Sequence, residues 1–344
     1  MEIQYNRDRY IVIVELSSTA FKILKLQPRV IDRKSNRHEI NRYKSFTIGT
    51  DIGNYIEHNQ INITSYKKHI LPTLVTEIEA MTRVQPSIIR ILATGYYRTI
   101  GNTDELVRLI ESSFPNYLKT KGTRVEVLTP DEESYLSYLS WECTYLFSKG
   151  ENLLDESKLK LNIDVGGGTT ELTVFRKPPF KNTISLQIGV DHYMRELLDI
   201  NDLHSTTIWY HLIEAKERTQ AFLNENIPNP KKNIDFAICT GSTLILDKDD
   251  ETNDEPRLIN VVIGQHIFEM EKDLSERIQW KGNKKIEINN NEQKSLRKLF
   301  GLIILNEILK YFGVYYSYNN LANLRIGAFH QTKQYLEQLH RYKI

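Results

Sequence analysis

At 344 residues the chain is long enough for two domains, each with its own hydrophobic core. Its 45 Lys and Arg stand against 44 Asp and Glu, a net charge of +1, so neither nucleic acid nor a membrane surface is expected as a partner. The two cysteines, Cys143 and Cys239, fall in no metal or redox spacing, and none of the nine histidines sits in a metalloprotease-like pattern.

"MEIQYNRDRY" is too polar for a secretory signal, and a cytoplasmic location is the expectation. "YIVIVEL" and "FKILKL" read as short strands around a Ser-Ser-Thr turn, and "SFTIG" as a third strand. The basic stretch "PRVIDRKSNRHEINRYK" suits either a polyanion or a solvated hairpin loop. "SYKKHILPTLVTEIEAMTR" has helical spacing, with Pro72 acceptable only near the start or at a kink. "IIRILATG" is a strand, and "TDELVRLIESS" a helix with Thr103 expected at its N-cap. "RVEVLT" is a further strand, leading into the helix "PDEESYLSYLSWECTYLF" opened by Pro130. After a polar linker the strand–turn–strand pattern restarts at "LKLNIDVGGGTTELTVF". The acidic run "DKDDETNDEPR" at 247–257 lacks the ligand spacing of a calcium loop and reads as solvated surface. "LFGLIILNEILKYFG" is interrupted by Asn306 and Glu307 and too short to span a bilayer, so it reads as a buried helix. The alternation in both halves implies two related α/β domains with a ligand cleft between them.

The densest signal is "LNIDVGGGTTELTVF". Three successive glycines are costly between strands, and they let the backbone approach a ligand, with N–H groups forming a concave anion site. Asp164 and Glu171 bracket that turn, and Thr169 and Thr170 add hydroxyls. Carboxylates beside an anion site make sense if Mg2+ bridges them to phosphate oxygens. The alternative is an ordinary glycine-rich hairpin, in which Asp164 receives backbone N–H groups.

"NIDVGGGTTEL" resembles the second phosphate loop of the exopolyphosphatase and guanosine-pentaphosphate phosphohydrolase (Ppx/GppA) family, within the group of actin, sugar kinases and heat-shock chaperone ATPases. Further segments in order are similar to that family: "ILATGYYRTIGN", giving Arg98 and Asn102, "VEVLTPDEESYLSYL", "SLQIGVDHYMREL", "AICTGSTLILD" and "LRIGAF". The resemblance implies two actin-like (ribonuclease H-like) α/β domains, 1–150 and 151–344, each a mixed sheet flanked by helices, with an interdomain cleft. It implies hydrolysis of phosphoanhydride bonds in polyphosphate or in a guanosine tetra- or pentaphosphate-type nucleotide, assisted by Mg2+. On the family pattern Glu133 aims the attacking water, with Glu132 the close competitor. Arg98 offers a fork to phosphate. Gly166, Gly167, Gly168 and Thr169 hold a phosphoryl group, with Ser18, Thr19, Gly241, Ser242 and Thr243 as further phosphate contacts. Asp164, Glu171 and Glu15 are the metal candidates. The acids Asp131, Glu132 and Glu133 also complement a helix N-terminus with no catalytic role.

The first phosphate loop departs from the family pattern. "ELSSTAF" places Glu15 for an Asp, Ser17 for a Gly, Thr19 for an Asn and Ala20 for a Ser. Ser17 is ill suited to a turn that needs a positive φ. Tyr135 and His192 stand where the family carries basic residues, and the third loop reads Gly-Ser-Thr for Gly-Gly-Thr. Three functions follow: a phosphatase with altered substrate preference, a nucleotide- or polyphosphate-binding regulator without turnover, and a phosphotransferase of the wider group. An apolar C-terminal helix makes a homodimer an expectation.

Overall fold

The computed structural model describes residues 10–26, 44–50, 52–82, 88–146, 155–198, 205–231, 233–241, 263, 267–273, 276, 290–319 and 324–341. The chain divides into two compact units, one of residues 1–147 with 324–344 and the other of residues 148–323. The basic stretch up to Tyr43, the acidic run at 247–257, Ser242 and Thr243 lie outside the described residues.

In the first unit β1 (Ile11–Leu16), β2 (Ala20–Leu26) and β3 (Lys44–Gly49) form an antiparallel meander. A small hairpin follows, β4 (Ile56–Glu57) with β5 (Gln60–Ile61), then helices α1 (Ile63–His69) and α2 (Leu71–Thr82). The break at Ile70 puts Pro72 in the first turn of α2, where its missing N–H is harmless. β6 (Ile88–Ala93) adds parallel to β1, followed by α3 (Tyr96–Thr99), α4 (Thr103–Ser112) and α5 (Asn116–Thr120). β7 (Val125–Val127) then adds parallel to β6 and leads into α6 (Pro130–Leu146).

All six residues of β1 are buried, because the strand is covered on both faces. Val12, Val14 and Leu16 pack with Tyr66, Leu74, Ile78, Leu106 and Ile110. Ile11 and Ile13 point the other way, into a cluster with Leu24, Leu92, Leu136, Leu324 and Ala328.

The second unit repeats the plan. β8 (Lys160–Val165), β9 (Thr170–Phe175) and β10 (Ile184–Leu186) form the meander, and α7 (Val190–Leu198) and α8 (Ser205–Asn226) follow. β11 (Phe236–Thr240) joins parallel to β8. After α9 (Asn290–Phe312), β12 (Ser317–Asn319) joins parallel to β11. Each five-stranded sheet thus has its first three strands as a meander and its last two added parallel to the first. The late apolar segment is α9, and Leu299, Phe300, Leu302, Ile303, Ile304, Leu305, Ile308 and Leu309 all enter the core of this unit. No helix among the described residues is long and apolar enough to cross a membrane.

The boundary differs from expectation at one end. α10 (Leu324–Arg341), expected with the second half, belongs to the first unit, where Leu324, Ala328 and Phe329 cover the β1 face that Leu136 of α6 also covers. The physical reason is that Ile11, Ile13, Leu24 and Leu92 form an apolar sheet face that α6 alone does not bury. A second difference is local: α4 takes Asn102 as its N-cap residue, and the Thr103 hydroxyl donates back to the carbonyls of Tyr97 and Ile100 at 2.8 Å each.

Candidate functional site

The start of α6 separates its acidic residues. The Glu132 carboxylate accepts from the Thr129 N–H at 2.8 Å and from the Thr129 hydroxyl at 2.9 Å, while the Glu132 N–H donates to the Thr129 hydroxyl at 3.3 Å. This is a reciprocal capping box with Pro130 at the first helical position. Glu132 is exposed and spent on the helix end. Glu133 is 8 % exposed, and Nη1 of Arg98 donates to its Oε2 at 2.7 Å and to the carbonyl of Leu128 at 2.9 Å. Arg98 comes from α3, just past the end of β6, so the strand end and the helix start are clamped together at the acid. Asn102 lies apart from this pair. Its side-chain amide accepts from the Ile61 N–H at 2.9 Å and donates to the Ile61 carbonyl at 3.0 Å, mimicking a strand rung that fixes β5.

The β1–β2 turn is closed by the Ser17 N–H and hydroxyl, which both donate to the Ala20 carbonyl, at 3.0 and 2.8 Å. Ser17 is not among the non-glycine residues with positive φ, so the departure from glycine brings no strain; the hydroxyl reinforces the turn. The carbonyls of Ser18 and Thr19 accept from the N–H groups of Ile52 and Thr50. Glu15, two residues before this turn, faces Lys22 across the rung. Lys22 Nζ lies 2.7 Å from one of its carboxylate oxygens, and Arg325 Nε of α10 lies 3.5 Å from the other. Burial of Glu15 works to raise its pKa, but the charges of Lys22 and Arg325 and the Lys22 hydrogen bond outweigh it, and the group sits below its ordinary value.

The glycine loop of the second unit is closed the same way, with the Gly166 N–H donating to the Thr169 carbonyl at 2.9 Å. The carbonyls of Gly166 and Gly167 accept from the N–H groups of Val190 and Asp191 at the start of α7. The glycines permit this seating. A Cβ on Gly189 would lie 2.2 Å from the Gly167 carbonyl oxygen, and one on Gly241, whose φ is +131°, would lie 2.4 Å from that of Val165. Gly166 thus gives its N–H to the hairpin, so an anion would meet the loop at Gly167 and Gly168. Thr169 and Thr170 are buried, and the Thr170 hydroxyl donates to the Ile188 carbonyl at 2.7 Å.

Asp164 and Glu171 face each other across the last rung but one of β8–β9. Directly opposed residues of an antiparallel pair project from the same face, where like charges repel. Glu171 is 1 % exposed and accepts from the Ser185 hydroxyl at 2.9 Å. An oxygen-rich pair of this kind, one carboxylate already oriented, fits a hard divalent cation.

Residues outside the sequence reading contribute as well. Lys22 was readable from hairpin register, since it stands two residues past the turn as Glu15 stands two before it. Arg325 and Gly327 came only as parts of a motif. A separate cluster joins Glu196, His211 and Glu214 on α7 and α8, three groups near enough to hold a metal ion. There the Arg218 guanidinium lies between the carboxylates, 2.7 Å from Glu196 and 2.5 Å from Glu214, and satisfies them itself. Cys239 is buried, and burial pushes its thiol up to about 12, so it is inert.

Two solved structures resemble the chain closely in fold. The Aquifex aeolicus member of the Ppx/GppA protein family aligns at 16 % identity over 96 % of this chain and 98 % of its own, with a TM-score of 0.62. An exopolyphosphatase from Cytophaga hutchinsonii aligns at 12 % identity over 94 % and 97 %, with a TM-score of 0.63. These likenesses show that the chain shares the α/β fold of those proteins along nearly its whole length. No curated protein sequence matches significantly. The model of the Ppx/GppA phosphatase family matches residues 30–245, more than half of the chain and from beyond the β1–β2 hairpin onward, and the protein belongs to that family.

Proposed function

We propose that the protein hydrolyses terminal phosphoanhydride bonds of polyphosphate or of a guanosine tetra- or pentaphosphate-type nucleotide. One observation carries this reading: of the two adjacent glutamates on α6, Glu132 completes the helix cap, while Glu133 is buried and gripped by Arg98. The helix cap is complete without Glu133, so its burial beside Arg98 is not the ordinary pairing of an acid with a helix N-terminus. In this reading Glu133 accepts a hydrogen bond from the attacking water and takes its proton, while Arg98 fixes the direction of the carboxylate. Gly167, Gly168 and Thr169 receive the phosphoryl oxygens, joined by the Ser18–Thr19 turn and the Gly241–Thr243 segment. Asp164 and Glu171 would hold Mg2+, which when bound neutralises charge on the phosphate oxygens. Mg2+-dependent phosphate release from a panel of polyphosphates and guanosine nucleotides tests the reading; no release from any of them removes it.

A second reading is a binding protein without turnover. It is favoured by the β1–β2 turn, where the Ser17 N–H and hydroxyl both go to Ala20, leaving them unavailable to a phosphate. It predicts affinity for the same ligands with no product.

A further inference from the structure

Glu15 and Asp164 occupy equivalent places. Each lies two residues before a turn closed by an N–H donating to the carbonyl three residues on, and each faces the residue two past that turn. In the second unit the facing residue is the acid Glu171; in the first it is the amine Lys22, and Arg325 takes the second carboxylate oxygen. Both oxygens of Glu15 therefore already face a fixed cation, and a metal ion brought there would meet two positive charges. Arg325 is 7 % exposed on its side chain and Glu15 8 %, so neither charge has water to turn to if the cluster opens. Two residues beyond Arg325, a Cβ on Gly327 would lie 1.9 Å from the Leu136 carbonyl and 3.1 Å from the Ser140 nitrogen, so α10 rests backbone to backbone on α6, one turn beyond Glu133.

We propose that Arg325 is a positioning residue for the hydrolytic site: with Lys22 it holds Glu15 as a fixed ion cluster that anchors the first loop in place of ligating metal, and through Gly327 the same helix seats the helix that carries Glu133. The proposal rests on the hydrolase reading for its kinetic consequences only. The test is a cycle of Glu15→Gln, Arg325→Met and the double variant, with Arg325→Lys as the conservative control and Asp164→Asn for comparison. Because Arg325 acts through Glu15, Arg325→Met should lower kcat about tenfold with KM little changed, and the double variant should be no slower than the slower single. Arg325→Lys should recover most of the rate. Half-saturating Mg2+ should stay at the wild-type value in Glu15→Gln and rise in Asp164→Asn. Multiplying effects in the double variant, or a Mg2+ requirement in Glu15→Gln raised as in Asp164→Asn, would overturn the proposal. Amide exchange decides independently of turnover. Arg325→Met should speed exchange at Ser17–Ala20 and in the first turns of α6 and leave β8–β9 unchanged; unchanged exchange at those two places also overturns it. Wild-type protein that releases no phosphate would sink the hydrolase reading and leave the exchange result to stand alone.

Discussion

The β1–β2 and β8–β9 hairpins are built to one plan and charged to different ends. Both turns are closed by the same backbone hydrogen bond, and both offer their loop carbonyls to N–H groups of the segment that follows the third strand, Thr50 and Ile52 in one unit, Val190 and Asp191 in the other. What differs is the rung beside the turn. Glu15 is matched by two cations, Lys22 and Arg325, whereas Asp164 with Glu171 sets two acids on one face. A shared backbone therefore specifies where a hairpin stands, and the side chains of the rung beside the turn set its charge.

The largest expected effect comes from the helix that the first hairpin supports. Glu133→Gln should cut turnover by about 10²–10⁴-fold with affinity held or raised, as expected for loss of a general base. Glu132→Ala should leave the rate alone and cost about 1 kcal/mol of stability by removing one half of the capping box. Equal losses in both variants would erase the distinction between the two acids.

Lys22→Glu would give the first hairpin an acid pair like that of the second. Breaking a buried ion pair costs about 3–5 kcal/mol, so a fall in chemical stability of that order is expected. A variant as stable as wild type would mean the Glu15 cluster contributes nothing.

Acid probes the same cluster. The folded pKa of Glu15 lies below its unfolded value, so its contribution is fully present above the ordinary glutamate value of about 4.3 and is lost as pH falls through the folded pKa. The gap in melting temperature between wild type and Glu15→Gln should therefore close as pH is lowered from about 5 towards 2, below that ordinary value. A gap that stays constant over this range contradicts the assignment.

The reverse exchange should have the smallest effect on stability. Glu171→Gln removes the like charge from the second hairpin's rung while keeping an acceptor for the Ser185 hydroxyl, an exchange worth up to about 1 kcal/mol. Stability should hold or rise slightly while the response to Mg2+ disappears; a preserved Mg2+ response would place the cation elsewhere.

Much of this was legible along the chain because it is local. The strands around both turns follow from short apolar runs, and the Thr129–Glu132 spacing is itself a capping signature that separates Glu132 from Glu133. Which N–H groups a glycine loop keeps for a ligand is not local: Gly166 gives its own to Thr169, and Gly189 must be glycine only because Gly167 lies against it. The Arg325–Glu15 contact joins the two ends of the chain, and no periodicity within α10 points to β1. The matching strand order of the two units is likewise a property of pairing and not of any local run of residues.

The place of α10 also sets an order of assembly. The first unit emerges from synthesis with Ile11, Ile13, Leu24 and Leu92 lining one sheet face, and the helix that covers them is encoded after the whole second unit. Until residues 324–341 are made, that face and the carboxylate of Glu15 lack their cover and their guanidinium. A nascent chain stopped before Leu324 should therefore bind chaperones and hydrophobic dyes and resist refolding of the first unit alone, while the second unit, continuous in sequence, has no such wait.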